Sequence, residues 1–433
     1  MGGDSIRVLC AGDLHIGRRS SKLPDSLAGS EHSCAVAWEA VVDTAISERV
    51  DVVALSGDLV DRANRYFEAI GPLERGLRRL AAGGIDTYAV AGNHDYDVLP
   101  ELADTLDLDR FHLLGRGGRW ERATVSRDNR PALYIDGWSF PREQVYECSL
   151  DTYDLPHDGV PVLGLLHADL DQAGSSYGPV TLAQLHRHEV AVWMLGHIHG
   201  CSIMADDGRP VVIYPGSPQA MDPGEPGVHG AIIADIDASG RVTTRRAPLS
   251  TVCYLPMTVD VSGIESDEDV RSRIVTSLRE ALDRDEHGYD RLACLVCRLT
   301  LTGRTPLHGA LRAIVNEAAD DLSLPGRAGV EAIIESIGIE TRPAIDLDAL
   351  ARRNDPPGEV AKVIRALETG EARSRYAGLM DGTARELRGI HGSNSFAGIS
   401  IDDPPEPGDT ERLLLAEAWN LLDTLVAQKE EAV

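Results

Sequence analysis

The first 250 residues alternate short apolar runs with longer amphipathic stretches. The runs are rich in Val, Ile and Leu, and this pattern predicts buried strands. Cys34–Arg49 and Tyr66–Ala82 have the spacing of helices. Each apolar run ends in a polar loop, and the runs are Arg7–Ala11, Val52–Leu55, Tyr88–Ala91, Val162–Leu166 and Val190–Leu195. Because strand ends on one side of a sheet meet at one rim, we expect these loops to lie close together.

The pattern changes after Arg246. Three strand-like runs now alternate with two amphipathic helices, and they predict a smaller α+β domain over residues 250–342. The expected elements are strand Cys253–Val261, helix Asp267–Arg284, strand Leu292–Leu301, helix Pro306–Asp321 and strand Val330–Ile339. Beyond them, Glu359–Glu371 and Thr410–Gln428 indicate a helical tail. We therefore predict three parts, at 1–249, 250–342 and 343–433.

Composition and charge restrict the cellular compartment and the binding partners that we expect for this protein. No apolar run is long enough for a membrane span. Seven cysteines without tight spacing are typical of a reducing compartment, so we expect a cytoplasmic protein. The formal net charge of −27 repels nucleic acid at long range, although it does not exclude a local basic groove.

The loops after the predicted strands carry the candidate chemistry. Their carboxylate, amide and imidazole groups suit manganese, iron or zinc better than calcium. The metal-binding candidates are Asp13, His15, Asp58, Asn93, His167, His197 and His199, and His94 remains beside them. This set is large enough for two metal ions, with Asp58 as the best bridging candidate. Each D-x-H or H-x-H pair either holds one metal or is divided between two.

The ordered series of motifs resembles the signature of the calcineurin-like metallophosphoesterases. The motifs are Asp13-x-His15, Gly57-Asp58-x-x-Asp61, Gly92-Asn93-His94-Asp95, His167 and Gly196-His197-x-His199. The resemblance implies an α/β fold, a four-layer α/β/β/α sandwich. It assigns one metal to Asp13, His15, Asp58 and His199, and the other to Asp58, Asn93, His167 and His197.

The same resemblance gives His94 a catalytic role. It implies that His94 contacts the scissile phosphate and either stabilises its charge or protonates the leaving oxygen as a general acid. Asp61 stands where the family has a residue that orients this histidine, and its carboxylate favours the imidazolium form. The alternative for Asp61 is an acidic residue at a helix N-terminus. Asp95 is expected to brace its loop.

Three further features are similar to SbcD-like and YhaO-like nucleases. They are the segment Tyr214–Gln219, the α+β cap domain with Arg304 as a candidate phosphate contact, and the helical tail. This branch implies a manganese-dependent DNA nuclease that forms a homodimer. It also implies that the tail docks on an SbcC-like ATPase, and the alternative is that the tail packs on the protein itself.

Two other functions remain open at this stage. The motifs are shared with phosphodiesterases and phosphatases that act on nucleotides or small phosphoesters. The sequence Gly92-Asn93-His94-Asp95 departs from the GNHE usual in Ser/Thr protein phosphatases. The other alternative is a structural or regulatory subunit, and the intact set of candidate ligands argues against it.

Overall fold

The structure is a computed structural model of the 433-residue chain. The residues it describes are 5–23, 32–61, 69–106, 108–206, 209–283, 291–318, 324–325, 330–391 and 407–430. The ends of three predicted helices lie outside these ranges, at Tyr66, Arg284 and Asp321. Among the described helices, none combines the length and apolar character that crossing a membrane requires.

Two six-stranded sheets form the body of the first 250 residues. In chain order the strands are β1 (Ser5–Ala11), β2 (Val52–Leu55), β3 (Asp86–Ala89), β4 (Phe111–Leu113), β5 (Glu121–Arg127), β6 (Arg130–Gly137), β7 (Val162–His167), β8 (Val192–Gly196), β9 (Ser202–Asp206), β10 (Arg209–Tyr214), β11 (Gly230–Asp237) and β12 (Val242–Pro248). The first sheet has the order β12-β11-β1-β2-β3-β4, and the second has the order β5-β6-β7-β8-β10-β9. In the first sheet β1 to β4 are parallel, and in the second β6, β7, β8 and β10 are parallel.

The side chains of β1 and β2 alternate between two apolar layers. Val8 and Val52 face the layer between the sheets, whereas Leu9 and Val53 face the helices. Burial on both faces explains why these strands are continuous apolar runs. The helices are α1 (Cys34–Ser47), α2 (Ile70–Ala82), α3 (Val98–Leu106) and the short α4 (Leu182–Leu185).

The outer face of the second sheet has its own apolar layer. Trp138, Phe140 and Trp193 fill it, and Leu185 of α4 packs with them. Among the described residues this layer holds only short helical segments, α4 and a 3₁₀ turn at Ser149–Thr152, together with loops. The four-layer α/β prediction is confirmed, with a fourth layer that is mostly loop.

Residues 252–343 form a third, smaller sheet of four strands. The elements of this region are β13 (Val252–Asp260), α5 (Asp267–Leu282), β14 (Cys294–Thr302), β15 (Arg304–Thr305), α6 (Leu311–Ala318), β16 (Leu324–Pro325), β17 (Glu331–Ile339) and β18 (Arg342–Pro343). The sheet order is β13-β14-β17-β16, and β15 pairs separately with β18. Each predicted strand and helix of this region is present, within a few residues of its expected bounds.

The chain divides into two compact units. One contains residues 1–259, 271–300 and 315–338, and the other contains 260–270, 301–314 and 339–433. The predicted boundaries at 249 and 342 stay a prediction. The second unit holds the tail helices α7 (Leu347–Ala351), α8 (Pro356–Glu368), α9 (Ala372–Arg375), α10 (Ala377–His391) and α11 (Pro407–Glu430).

Arg304 is engaged within the second unit. Its guanidinium makes two 2.9 Å hydrogen bonds to the carboxylate of Asp423 in α11, and it lies 3.8 Å over the ring of Trp419. These contacts anchor the guanidinium of Arg304 to the last helix, and its expected contact with DNA stays a prediction. Leu422 of α11 is fully buried, so this helix packs on its own unit along one face.

We expect Asp423→Ala to lower the free energy of unfolding by roughly 1–3 kcal/mol, because it leaves the half-buried Arg304 without its bidentate partner. Urea denaturation followed by circular dichroism measures this change. The matched control is Asp381→Ala, which removes a 3.8 Å pair whose two side chains are each 65% exposed. That control should change stability by less than about 0.5 kcal/mol. Equal effects of both variants would show that Arg304 does not anchor α11.

Candidate active site

The predicted site residues meet at one rim of the sandwich. Asp13 and His15 follow β1, Asp58 follows β2, and Asn93 and His94 follow β3 of the first sheet. From the second sheet, His167 ends β7, and His197 and His199 follow β8. These strands are parallel within each sheet, so their carboxyl ends bring distant sequence positions together, as the pattern predicts.

The backbone at this rim is held in an unusual conformation. Asp13, His15, Asp58 and His197 have φ angles of 50°, 43°, 53° and 91°, in the left-handed region that non-glycine residues rarely adopt. Backbone hydrogen bonds fix them. The amide of Asp13 donates to Gly57 at 3.0 Å, and that of His15 donates to Asp58 at 2.9 Å. Strained residues of this kind cluster at functional sites.

Two histidine nitrogens face each other at the first half of the site. His15 Nε2 lies 3.2 Å from His199 Nε2. His199 Nδ1 lies 2.7 Å from a carboxylate oxygen of Glu225, so this nitrogen carries the ring proton. His15 Nδ1 is buried, lies 3.5 Å from Asp61 and makes no hydrogen bond among the described residues. The two Nε2 atoms are therefore a close pair of ligand-type nitrogens in a buried position, an arrangement that suits a shared cation.

The second half has the same character. His167 Nδ1 lies 3.0 Å from the carbonyl oxygen of Ser56, which can only accept, so Nδ1 donates. Its Nε2 lone pair therefore faces the Oδ1 atom of Asn93 at 2.9 Å. With the Asn93 amide oxygen on this side and the proton on Nδ1, two acceptors meet in a buried position. Buried acceptors without a donor are costly, and a metal ion between them removes that cost.

Asp58 lies between the two halves. Its Oδ2 atom is 3.4 Å from His167 Nε2 and 3.8 Å from His15 Nε2. Burial opposes its ionisation, but His167, His15 and His94 hold its pKa below the usual range. The carboxylate is therefore ionised and central, as a bridging ligand must be. The remaining oxygen, Oδ1, accepts the His94 amide at 2.8 Å.

Three sets of donor atoms lie within 4.8 Å of one another. They are Asp13, His15 and His199; Asp13, Asp58 and His167; and His15, Asp58 and His94. Among the described residues His197 is in none of these sets, but its ring centroid lies 5.3 Å from that of His167. Its amide also donates to Asp13 at 3.0 Å. The nitrogen, carboxylate and amide donors fit divalent metal ions. The division of ligands between two metals stays a prediction.

His94 lies at the open side of the cluster. Its side chain is 33% exposed, whereas that of Asp61 is 8% exposed. His94 Nδ1 lies 3.7 Å from a carboxylate oxygen of Asp61. Burial lowers the pKa of His94 and outweighs the charges of Asp58 and Asp61, which raise it. A bound phosphate raises this pKa by the same Coulombic effect, so protonation is favoured with substrate in place.

Three further carboxylates contact the loops or the histidines of the site. Asp95 is fully buried and accepts from the amides of Gly92 at 2.8 Å and Leu59 at 2.7 Å, so it braces two ligand loops as predicted. Burial and the charge of Asp58 raise the pKa of Asp95 to about 7. The other two, Glu225 and Asp169, were missed from sequence.

Glu225 and Asp169 each contact one histidine of the last motif. Glu225 holds His199 and also accepts the Met221 amide at 2.7 Å, while Asp169 lies 3.5 Å from His197 Nε2. Asp169 had one local signal, since it stands two residues after His167 and so shares its side of an extended backbone. Glu225 stands in a Pro- and Gly-rich turn, where an acidic residue is usually only solvated.

We expect Glu225→Gln to weaken metal binding at the His199 half of the site by roughly 10- to 100-fold, because the amide no longer fixes the ring and its tautomer. Isothermal titration with MnCl₂ measures this affinity. The matched control is Glu121→Gln, which changes a carboxylate that accepts the Gly115 amide and makes no hydrogen bond to a histidine of the described residues. An unchanged affinity in Glu225→Gln would show that this carboxylate does not position His199.

Comparison with known families agrees with this geometry. The model of the calcineurin-like phosphoesterases matches residues 6–201. Residues 6–201 are a calcineurin-like phosphoesterase domain. The model of the middle domain of the metallophosphoesterase YhaO matches residues 254–342, which lie within the range of 250–342 predicted for the cap. The predicted superfamily and its nuclease-like branch are therefore confirmed.

Individual relatives extend the similarity of this phosphoesterase. YhaO of Bacillus subtilis is 27% identical over 308 residues, covering 70% of this chain and 72% of that protein. The DNA double-strand break repair protein Mre11 of Aeropyrum pernix is 26% identical, covering 50% of this chain and 54% of its own length. TT1561 of Thermus thermophilus, a solved structure, is 13% identical and covers 56% of this chain and 99% of its own, with a TM-score of 0.35.

Proposed function

We propose that this phosphoesterase is a two-metal DNA nuclease that uses manganese. The observation that carries the proposal is the pair of close contacts between ligand-type atoms, His15 with His199 and His167 with Asn93, on either side of the ionised Asp58. Two divalent cations would satisfy both contacts. The YhaO-type middle domain and the similarity to Mre11 support DNA as the substrate.

The proposal assigns the following roles to the residues of the site. Asp13, His15, Asp58 and His199 would hold one metal, and Asp58, Asn93, His167 and His197 would hold the other. Metals bound there would supply Lewis-acid polarisation of a phosphodiester and an activated water. His94 contacts the scissile phosphate and donates a proton to the leaving oxygen as the P–O bond breaks, or stabilises the phosphate charge instead. Asp61 orients the His94 ring and raises its pKa.

The deciding experiment measures DNA cleavage and competition together. Purified protein with MnCl₂ is incubated with end-labelled linear duplex DNA and with single-stranded circular DNA, and EDTA serves as the metal-removed control. We expect manganese-dependent cleavage that EDTA abolishes. Turnover of a nucleotide or small phosphodiester that competing DNA does not inhibit, without DNA cleavage, would favour the small-substrate alternative. Parallel reactions with iron and zinc test the choice of metal.

We also propose that the protein works in the cytoplasm as a homodimer with an SbcC-like ATPase. Exposed apolar side chains on the tail helices support the second contact: Leu379 and Ile390 of α10, and Leu413 and Leu421 of α11, are 39–50% exposed. Co-purification with the ATPase encoded in the same genome should be lost in Leu413→Glu/Leu421→Glu. Light scattering of the isolated chain tests the dimer.

A further inference from the structure

A cleft of about 640 Å³ lies at one edge of the phosphoesterase sandwich, where edge strand β4 of the first sheet faces edge strand β5 of the second. The loop of residues 114–120 joins these two strands and passes from one sheet to the other. Phe111, Arg116, Arg119, Trp120 and Arg122 are among the residues that line the cleft. None of them belongs to the candidate metal site.

The cleft opens on the same rim as the metal ligands. β4 is parallel to β3, whose carboxyl end leads to Asn93, so the loop after β4 leaves the sheet beside that ligand loop. Ser139 connects the two loops directly. Its Oγ atom accepts the Ala91 amide at 2.9 Å and donates to the Leu114 carbonyl at 2.5 Å, and its amide donates to Gly115 at 3.2 Å.

The charge of the cleft contrasts with that of the whole chain. Three arginines and one glutamate line it, in a protein with a net charge of −27. The guanidinium of Arg122 already makes two 2.7 Å hydrogen bonds to the buried carboxylate of Asp136, so it is not a candidate phosphate contact. Arg116 pairs at 2.6 Å with Asp104, whose side chain is 70% exposed, and such surface pairs are easily exchanged.

Arg119 is the remaining cation of the cleft. It is exposed, and among the described residues no carboxylate lies within ion-pair distance of its guanidinium. It precedes Trp120, whose indole is fixed by a 2.9 Å hydrogen bond to Ser149 and by edge contacts with Tyr153 and Trp193. A mobile cation beside a fixed, half-buried aromatic ring is suited to a nucleic-acid strand, since arginine binds phosphate and the ring packs against bases.

We propose that this cleft holds the DNA strand next to the scissile phosphate, with Arg119 and Arg116 on backbone phosphates and Trp120 against a base. The inference rests on the proposed nuclease function and adds a binding subsite outside the metal centre. The loop after β4, which lines the cleft, leaves the sheet next to the loop that carries Asn93, because β3 and β4 are neighbours. Small phosphodiesters are too short to reach it.

The test compares Arg119→Glu with Arg130→Glu. Arg130 is also exposed, but it begins β6 at the opposite end of the same strands, so the control makes an equal charge change far from the rim. Binding of fluorescein-labelled (dT)₃₀ is measured by anisotropy in EDTA over a range of NaCl concentrations. Manganese-dependent hydrolysis of (dT)₃₀ and of bis(p-nitrophenyl) phosphate is measured in parallel.

We expect Arg119→Glu to weaken (dT)₃₀ binding by roughly tenfold. The slope of log K against log[NaCl] should become shallower by about 0.7 for each phosphate that the variant no longer neutralises. Hydrolysis of bis(p-nitrophenyl) phosphate and the Arg130→Glu control should be unchanged. Equally weakened binding in both variants, or unchanged binding in Arg119→Glu, would overturn the proposal that this cleft binds DNA. If wild type binds (dT)₃₀ through Arg119 but cuts no DNA, the nuclease proposal fails and the binding site stands.

Discussion

Asp58→Asn is expected to reduce manganese-dependent phosphodiester hydrolysis by about 10³-fold or more. Metal ions contribute several kcal/mol to transition-state stabilisation, and each 1.36 kcal/mol is a factor of ten in rate. Asp58 faces both halves of the site, at 3.4 Å from His167 Nε2 and 3.8 Å from His15 Nε2. An amide has no negative charge and only one oxygen, so it cannot serve both cations.

The metal content should fall with the activity. We expect two manganese ions per wild-type chain and at most one in Asp58→Asn, by mass spectrometry of the dialysed protein. Asp86→Asn is the matched control, because Asp86 pairs with Arg110 at the amino end of β3, away from the rim. Circular dichroism checks that both variants fold. Full activity of Asp58→Asn with two bound metals would remove Asp58 as the bridging ligand.

His94→Gln is expected to lower the rate of DNA cleavage by roughly 10²- to 10⁴-fold, the usual contribution of a general acid. The metal content should stay at the wild-type value, because the backbone amide of residue 94 still donates to Asp58. Hydrolysis of bis(p-nitrophenyl) phosphate should fall much less, since its leaving group departs without protonation. The comparison of the two substrates therefore isolates proton donation.

Two other results would change the role of His94. An equal decrease on both substrates would indicate that its charge stabilises the phosphate rather than protonating the leaving oxygen. Loss of a metal ion would make it a ligand, as its closeness to His15 and Asp58 allows. Asp61→Asn supplies the related control for ring orientation, and it should reproduce part of the defect without loss of metal.

The order of strands and ligands was predictable because both are local. Buried parallel strands are continuous apolar runs, and β2 has the predicted bounds Val52–Leu55. The glycine and histidine motifs follow these runs directly. Once the family was identified from the motifs, the sandwich and the shared rim followed, and the structure has both.

What the sequence did not predict depends on contacts between distant positions. Arg304 meets Asp423, which lies 119 residues later in the chain. Glu225 is 26 residues from His199, and its role depends on the path of a turn. The rim position of Arg119 depends on the loop between the two sheets. Side-chain periodicity carries no information about such pairs.

The left-handed backbone at Asp13, His15, Asp58 and His197 implies a conflict between heat tolerance and activity. Glycine adopts these φ angles without steric cost, and each strained non-glycine residue costs on the order of 1–3 kcal/mol. A collection of variants screened only for resistance to heating should therefore accumulate glycines at these positions and become inactive. Strain at this rim is a cost to the fold that only the requirement for metal-binding side chains maintains.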